Sequence, residues 1–160
     1  MVDKSYTYYL GNFNYLTATA ISGYTDERNA SNIMDGNYAT WSKSTNSNAN
    51  GIALLYPSDY GYSASSTYWS SPTLYNYETG PMDTSWMFKT ANHTTREWFL
   101  SPSSYFYSLA AFWSTTGSVN GNYFNDDNDG VRSCLNLLST APIDTNHQGN
   151  ETDPYVIVIE

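Results

Sequence analysis

The chain has 160 residues, with 15 acidic side chains against 6 basic ones and a formal net charge of -9. It has no basic stripe with which to neutralise phosphates, which excludes a nucleic-acid binder of the usual kind. Charged residues make up 13% of the chain and aromatic ones 17%. A soluble domain averages about 25% charged, so neither a disordered acidic chain nor a coiled coil fits. The polarity comes instead from uncharged side chains: 21 Ser, 18 Thr and 17 Asn, joined by 16 Tyr. Tyr, Ser, Asn and Gly make the kind of surface that antibody loops use for contact. Tyr, Thr, Trp and Phe are also good strand formers, and the two readings hold together.

In chain order, Met1 to Tyr9 has no apolar run of signal-peptide length, and no window approaches the roughly 20 apolar residues of a membrane span. No membrane insertion of this domain is expected. The chain reads either as cytoplasmic or phage-borne, or as excised from a longer surface protein, and its few lysines and many Ser, Thr, Asn and Tyr lean towards the exterior. Ser5 to Leu10 (SYTYYL) predicts a first strand, and Glu27 to Met34 has some helical character. Gly51 to Tyr56 (GIALLY), stopped by Pro57, predicts a strand buried on both faces. Thr84 to Thr95 is the best helical stretch, and Trp98 to Leu100 a short strand before Ser101-Pro102. Asn120-Gly121, between Leu109 to Val119 and Tyr123-Phe124, predicts a hairpin through a type I′ turn. Val131 to Leu138 (VRSCLNLL) predicts a strand with Val131, Ser133, Leu135 and Leu137 on one face and Arg132, Cys134, Asn136 and Leu138 on the other. Pro154 to Glu160 (PYVIVIE) predicts a last strand, and the N- and C-terminal strands are expected to pair. No repeat or linker divides residues 1–160, which read as one domain. Its single cysteine, Cys134, excludes an internal disulfide and leaves stability to a hydrophobic core.

Chemistry-bearing motifs are few. His93 and His147 sit in polar, loop-like surroundings, and no nucleophile elbow is present. Cys134 lies in an apolar strand, which reads as an inert buried thiol. No enzyme and no cofactor are expected. Asn125-Asp126-Asp127-Asn128-Asp129-Gly130 opens like a calcium loop, with oxygen ligands at Asn125, Asp127 and Asp129. The twelfth position is Asn136 instead of a glutamate, so a solvated acidic loop is preferred to a calcium site. Aromatic residues crowd between Trp98 and Phe124. The alternation of Phe106 and Phe112 against Tyr105, Tyr107 and Trp113 suggests one face for the core and one for contact with a protein or a carbohydrate. Both faces being covered by the domain itself is the alternative.

Four segments fit a known pattern in order: IALLYPSDYGY (52–62), EWFLS (97–101) before Pro102, Gly130-Val131-Arg132 ahead of an apolar strand, and DPYVI (153–157). Together they resemble the C-type-lectin-fold, formylglycine-generating-enzyme-like domains of bacterial pilin-like and adhesin proteins and of phage, including the variable proteins of diversity-generating retroelements. The resemblance implies an α+β fold of short antiparallel strands and long loops with one or two short helices and paired termini. It implies a structural Arg132, a core Trp98 and a ligand-facing set of Tyr105, Tyr107, Trp113, Asn120, Asn122, Tyr123, Asn125, Asp126, Asp127, Asn128 and Asp129. The chain lacks the cysteine pair of the formylglycine-generating enzymes, and Ser133 stands where surface relatives commonly have Pro. The implied role is a non-enzymatic display domain facing a receptor from a cell surface, the extracellular space or a virion. A pilus or phage-tail subunit that mediates assembly is the alternative.

Overall fold

A computed structural model describes residues 8–9, 11, 13–29, 43–44, 52–89, 96–104, 109–123, 129–135, 137–146, 153 and 156–157. Of these, residues 8–9, 43–44, 52, 89, 102, 109–113, 123 and 156–157 are described through their backbone. The fold is mixed, with four short α-helices and small sheets: β1 (Tyr8–Tyr9), α1 (Ala20–Arg28), β2 (Lys43–Ser44), β3 (Ile52–Leu54), α2 (Pro57–Tyr62), α3 (Pro81–Thr84), α4 (Trp86–Lys89), β4 (Glu97–Pro102), β5 (Leu109–Trp113), β6 (Val119–Tyr123), β7 (Gly130–Val131), β8 (Ser133–Leu135), β9 (Ile143–Asp144) and β10 (Val156–Ile157). None of the described helices is long and apolar enough to cross a membrane.

The local chemistry explains the helices. Thr19 and Ser22 cap α1 reciprocally: the Ser22 N–H donates to Thr19 Oγ1 (3.2 Å) and the Thr19 N–H to Ser22 Oγ (2.9 Å). Pro57 opens α2 at a position where its missing N–H costs nothing, and Asp59 Oδ2 accepts the Tyr56 N–H at 2.9 Å. The two helices pack closely, since a methyl group on Gly61 would meet Ala20 Cβ at 2.6 Å. Helix α1 inverts the usual amphipathic pattern. It buries Ala20, Gly23 and Glu27 and leaves Ile21 and Tyr24 nearly half exposed.

The main sheet has the order β6-β5-β4-β7, antiparallel except where β7 runs parallel to β4. Its hairpin does not turn at Asn120-Gly121, which lies within β6 opposite Phe112 and Ala111. The turn is Ser114 to Ser118: Gly117 N–H donates to Ser114 O (3.0 Å), Ser114 N–H donates to Ser118 O (2.9 Å), and Gly117 takes φ +88°. That is a three-residue loop closed by a glycine bulge, which twists the strands with the right hand.

Other expectations change as well. Among the described residues the terminal strands do not pair with each other: β1 pairs with β2, and β10 with β9. β3 pairs with β8 and is not buried on both faces, because Ala53 and Leu54 are half-buried. The predicted strand 131–138 is divided at Arg132 between two sheets, and its Val131, Ser133 and Leu135 face is exposed. Helix occurs at 20–28, 81–84 and 86–89, beginning earlier than expected in both regions; residues 30–34 and 90–95 lie outside the described residues.

The core gathers Phe13, Tyr15, Ala18, Tyr60, Ala64, Leu74, Tyr77, Met87, Phe99 and Val119. Tyr60 is its centre, with ring centroids 5.8 Å from Tyr77 and 6.3 Å from Phe99. Each such aromatic pair contributes about 0.5–1.5 kcal/mol beyond the area it buries. Trp98, expected in the core, is half-buried beside the fully packed Phe99. A buried phenol needs an acceptor, and both central tyrosines find backbone oxygens. Tyr60 donates to Gly117 O (2.7 Å) and Tyr77 to Tyr68 O (3.0 Å). Burial pushes both phenols up, Tyr77 to about 12. Tyr60→Phe should cost about 1–2 kcal/mol in denaturant unfolding, since it leaves the Gly117 carbonyl without this buried donor; a loss below a few tenths would show that the hydroxyl does not couple α2 to the hairpin.

Candidate functional site

The stretch expected to face a ligand, residues 105–129, ends where β7 pairs with β4. Gly130 N–H donates to Arg96 O at 2.7 Å, and Gly130 and Val131 pair in parallel with Glu97 and Trp98. Arg132 grips Glu97 through two bonds, Nε to Oε2 (2.8 Å) and Nη2 to Oε1 (3.0 Å). This forked geometry is specific to guanidinium and carboxylate and fixes direction as well as distance. Arg96 Nε lies 2.7 Å from Asp129 Oδ1, and the Asp129 side chain is only 1% exposed. Charge, and not an aligned hydrogen bond, holds that carboxylate.

The expected ligand-facing residues divide accordingly. Asn120 and Asn122 stand two apart on β6 and are half-buried, which sets them on one face of the sheet. Asn120 Oδ1 accepts the Gly121 N–H at 2.8 Å, so its carbonyl end serves the strand. Asp129 is not ligand-facing, because its buried carboxylate is committed to Arg96. Trp113 and Tyr123 end β5 and β6, in register with Val119 and Leu109; their side chains lie outside the described set. Tyr105, Tyr107, Asn125, Asp126, Asp127 and Asn128 lie outside the described residues, as do His93 and His147. Of the three calcium candidates only Asp129 is described, and its carboxylate lies against Arg96. Among the described residues, no group of three or more His, Cys, Asp and Glu is placed to hold a metal ion.

Cys134 pairs in β8 with Ala53, and its Sγ donates to Leu54 O at 3.2 Å. Burial, with the Asp59 charge behind it, pushes the thiol up to about 11, which removes the thiolate at neutral pH.

Sequence reasoning missed a polar cluster between α1 and α2. Glu27 is fully buried: its Oε1 accepts the Ser58 N–H (3.0 Å), and Ser58 Oγ donates to its Oε2. Arg28 Nη1 reaches Glu27 Oε2 (3.2 Å) and Ser58 Oγ (3.1 Å), while Nη2 reaches Asp59 Oδ1 (3.2 Å). The guanidinium lies between the Tyr24 and Tyr56 rings, 4.0 and 4.1 Å from their centroids. Beyond it, Tyr24, Tyr62 and Trp69 meet edge to face at centroid distances of 5.9 and 5.0 Å. A Glu-Arg pair in a chain with 6 basic residues was the available signal. The inverted pattern of α1 concealed it.

Two outcomes test this geometry. Arg96→Met should lower stability by about 3 kcal/mol, the low end for stranding a buried carboxylate, and Asp129→Asn by clearly less; equal losses in the two would mean that packing, and not charge, matters there. Iodoacetamide should alkylate Cys134 in the native protein at pH 8 about two orders of magnitude more slowly than in guanidinium chloride, read by mass spectrometry; equal rates would contradict the burial of the thiol. No family model matches the chain, and neither does any curated protein or solved structure, so a functional reading rests on the chain's own residues.

Proposed function

We propose that the chain is a non-enzymatic display domain, an α+β scaffold of C-type-lectin type that presents a Tyr/Asn/Asp-rich face to a protein or glycan receptor from a cell surface, the extracellular space or a virion. The observation that carries this reading is how firmly the segments on either side of residues 124–128 are joined to the sheet. On one side lies β6, held to β5 through a glycine-bulge hairpin; on the other β7 joins β4 under the Arg96–Asp129 and Arg132–Glu97 pairs. Binding residues on a loop fixed at both ends by a rigid sheet lose little entropy on engagement. The bidentate Arg132 fits the structural role implied by the family resemblance. On this reading the ligand-facing set is Tyr105, Tyr107, Trp113, Asn120, Asn122, Tyr123, Asn125, Asp126, Asp127 and Asn128, without Asp129. Asp126 and Asp127 favour a basic or cation-bridged partner. A reverse-transcriptase gene beside a near-copy of the segment encoding residues 105–136 would identify the face as diversified.

One observation favours the second reading, assembly into a pilus or phage tail: Val131 is 67% exposed and Leu135 47%, on the outward face of β7 and β8. Native mass spectrometry distinguishes the two, since a monomer fits display and a stable oligomer lost in Val131→Asp fits assembly. For display itself, a tetramerised chain should bind within a panel of arrayed glycans and cell-surface proteins. Tyr107→Ala and Asn122→Ala should each weaken that binding at least about tenfold with Tm nearly unchanged. Full binding by both variants, or loss accompanied by a collapse of Tm, would contradict it.

A further inference from the structure

We propose that the α3–α4 corner is a binding site for a neutral oligosaccharide, in which one sugar ring stacks on the Trp86 indole and its hydroxyls bond to the Asp83 carboxylate. The site shares no residue with the Tyr/Asn/Asp-rich face. Trp86 is 51% exposed, more than any other aromatic side chain described. The main chain on both sides of it is fixed from within. Ser85 and Met87 are buried; Ser85 Oγ accepts the Phe88 N–H (3.1 Å) and meets Ser63 Oγ, and the Trp86 N–H donates to Ser63 O (3.2 Å). An indole held in water between two buried neighbours forgoes a large apolar burial, and its ring N–H has no partner among the described residues.

Polar groups converge on the same corner. The Ser65 N–H donates to Thr84 Oγ1 (3.0 Å), which lays residues 63–67 along residues 84–86, and Thr67 Oγ1 donates to Ser65 Oγ (3.2 Å). Asp83 is exposed, and its carboxylate has no partner among the described residues. Tyr68 adds a second ring, packed so closely on Gly80 at the start of α3 that a methyl group there would meet its hydroxyl oxygen at 3.2 Å. A sugar presents C–H groups over one face of its ring and vicinal hydroxyls around the rim. The first suit a π face, and the second suit a carboxylate that accepts two hydrogen bonds. A protein partner fits less well. Anchors of protein interfaces sit within an apolar surround, and none of the other large exposed apolar residues belongs to residues 63–68 or 81–88. Charge narrows the class further. Asp83 is joined by Glu78, whose Oε1 accepts from Ser118 Oγ (3.3 Å) beside the hairpin turn that packs on Met82, in a chain of net charge -9. Sialylated, sulfated or phosphorylated glycans are repelled there, and neutral ones are not.

Nitrogen-15 correlation spectra read the site directly, because each of the 5 tryptophans gives one indole N–H signal and Trp86→Phe identifies the one that belongs to Trp86. Titration with maltohexaose, cellohexaose, mannohexaose and a galactohexaose should move that signal saturably for at least one of the four. Sialyllactose and a heparin hexasaccharide should bind at least about tenfold more weakly than the best of them. Saturation transfer to the protons of that sugar should disappear in Trp86→Leu, which is apolar without a ring, and persist in Trp86→Phe. Asp83→Asn should weaken binding about threefold or more, and Tm should move little in all three variants. A Trp86 signal that none of the hexaoses moves, acidic sugars that bind as well as neutral ones, or binding undiminished in Trp86→Leu would overturn the proposal. Should Trp86→Leu fail to fold, the unaltered protein decides: sugar-induced shifts that spare the Trp86 indole overturn the site, and shifts centred on it support the site.

Discussion

The hydrogen bond from Tyr60 to the Gly117 carbonyl joins the two parts of the molecule that everything else is built on: α2 and the β5–β6 hairpin. Around that bond the interior is assembled from rings and hydroxyls as much as from aliphatic side chains. Tyr15, Tyr56, Tyr60 and Tyr77 are buried together with Ser58, Ser63, Ser85, Ser101, Ser103 and Ser118. Such an interior constrains geometry more sharply than leucine would. A phenol or hydroxyl removed from water must find an acceptor within hydrogen-bonding reach, so the positions of Gly117 O, Tyr68 O and Gly61 O help to specify how α2 sits on the sheet. The cost of a misplaced ring is therefore an orphaned polar atom as well as a void.

The same six-residue helix serves both sides. One face of α2 sends Tyr60 into the core; its first turn sends Ser58 and Asp59 to α1. At the far edge of the sheet, β4 receives β7 and its two arginine pairs. Few charges are present, and several of those described are spent on joints: Glu27, Arg28 and Asp59 between helices, Arg96, Glu97, Asp129 and Arg132 where β7 joins β4. The abundant Ser, Thr, Asn and Tyr supply uncharged polar groups for contact, which connects the composition to the proposed display role.

Part of this was legible in the sequence. The runs at 8–9, 52–54, 97–102 and 156–157 do form strands, because branched and aromatic residues bounded by Pro or Gly suit short pleated segments. Their partners were not legible, since pairing β1 with β2 instead of β10 is decided by contacts far apart in sequence. The hairpin was misplaced because Asn120-Gly121 satisfies the two-residue rule locally. Thr115-Thr116-Gly117 satisfies the three-residue rule, and only the register of β5 on β6 chooses between them. Tyrosine was the deepest ambiguity, for an amphipathic ring faces inward or outward according to whether a carbonyl awaits its hydroxyl. Glu27 was hidden for a related reason, as no pattern rule buries a carboxylate and exposes Ile21 and Tyr24.

The central claim is that α2, β4 and the β5–β6 hairpin form one frame, closed by Tyr60, on which the remaining segments are mounted. Native-state hydrogen exchange at neutral pH, followed amide by amide in low denaturant, tests it most directly. The account predicts that the slowest amides lie in α2, β4, β5 and β6 and open together, with the free energy and denaturant dependence of global unfolding. Amides of α2 that exchange as readily as those of α3 or β9, or that open independently of the hairpin, would contradict it.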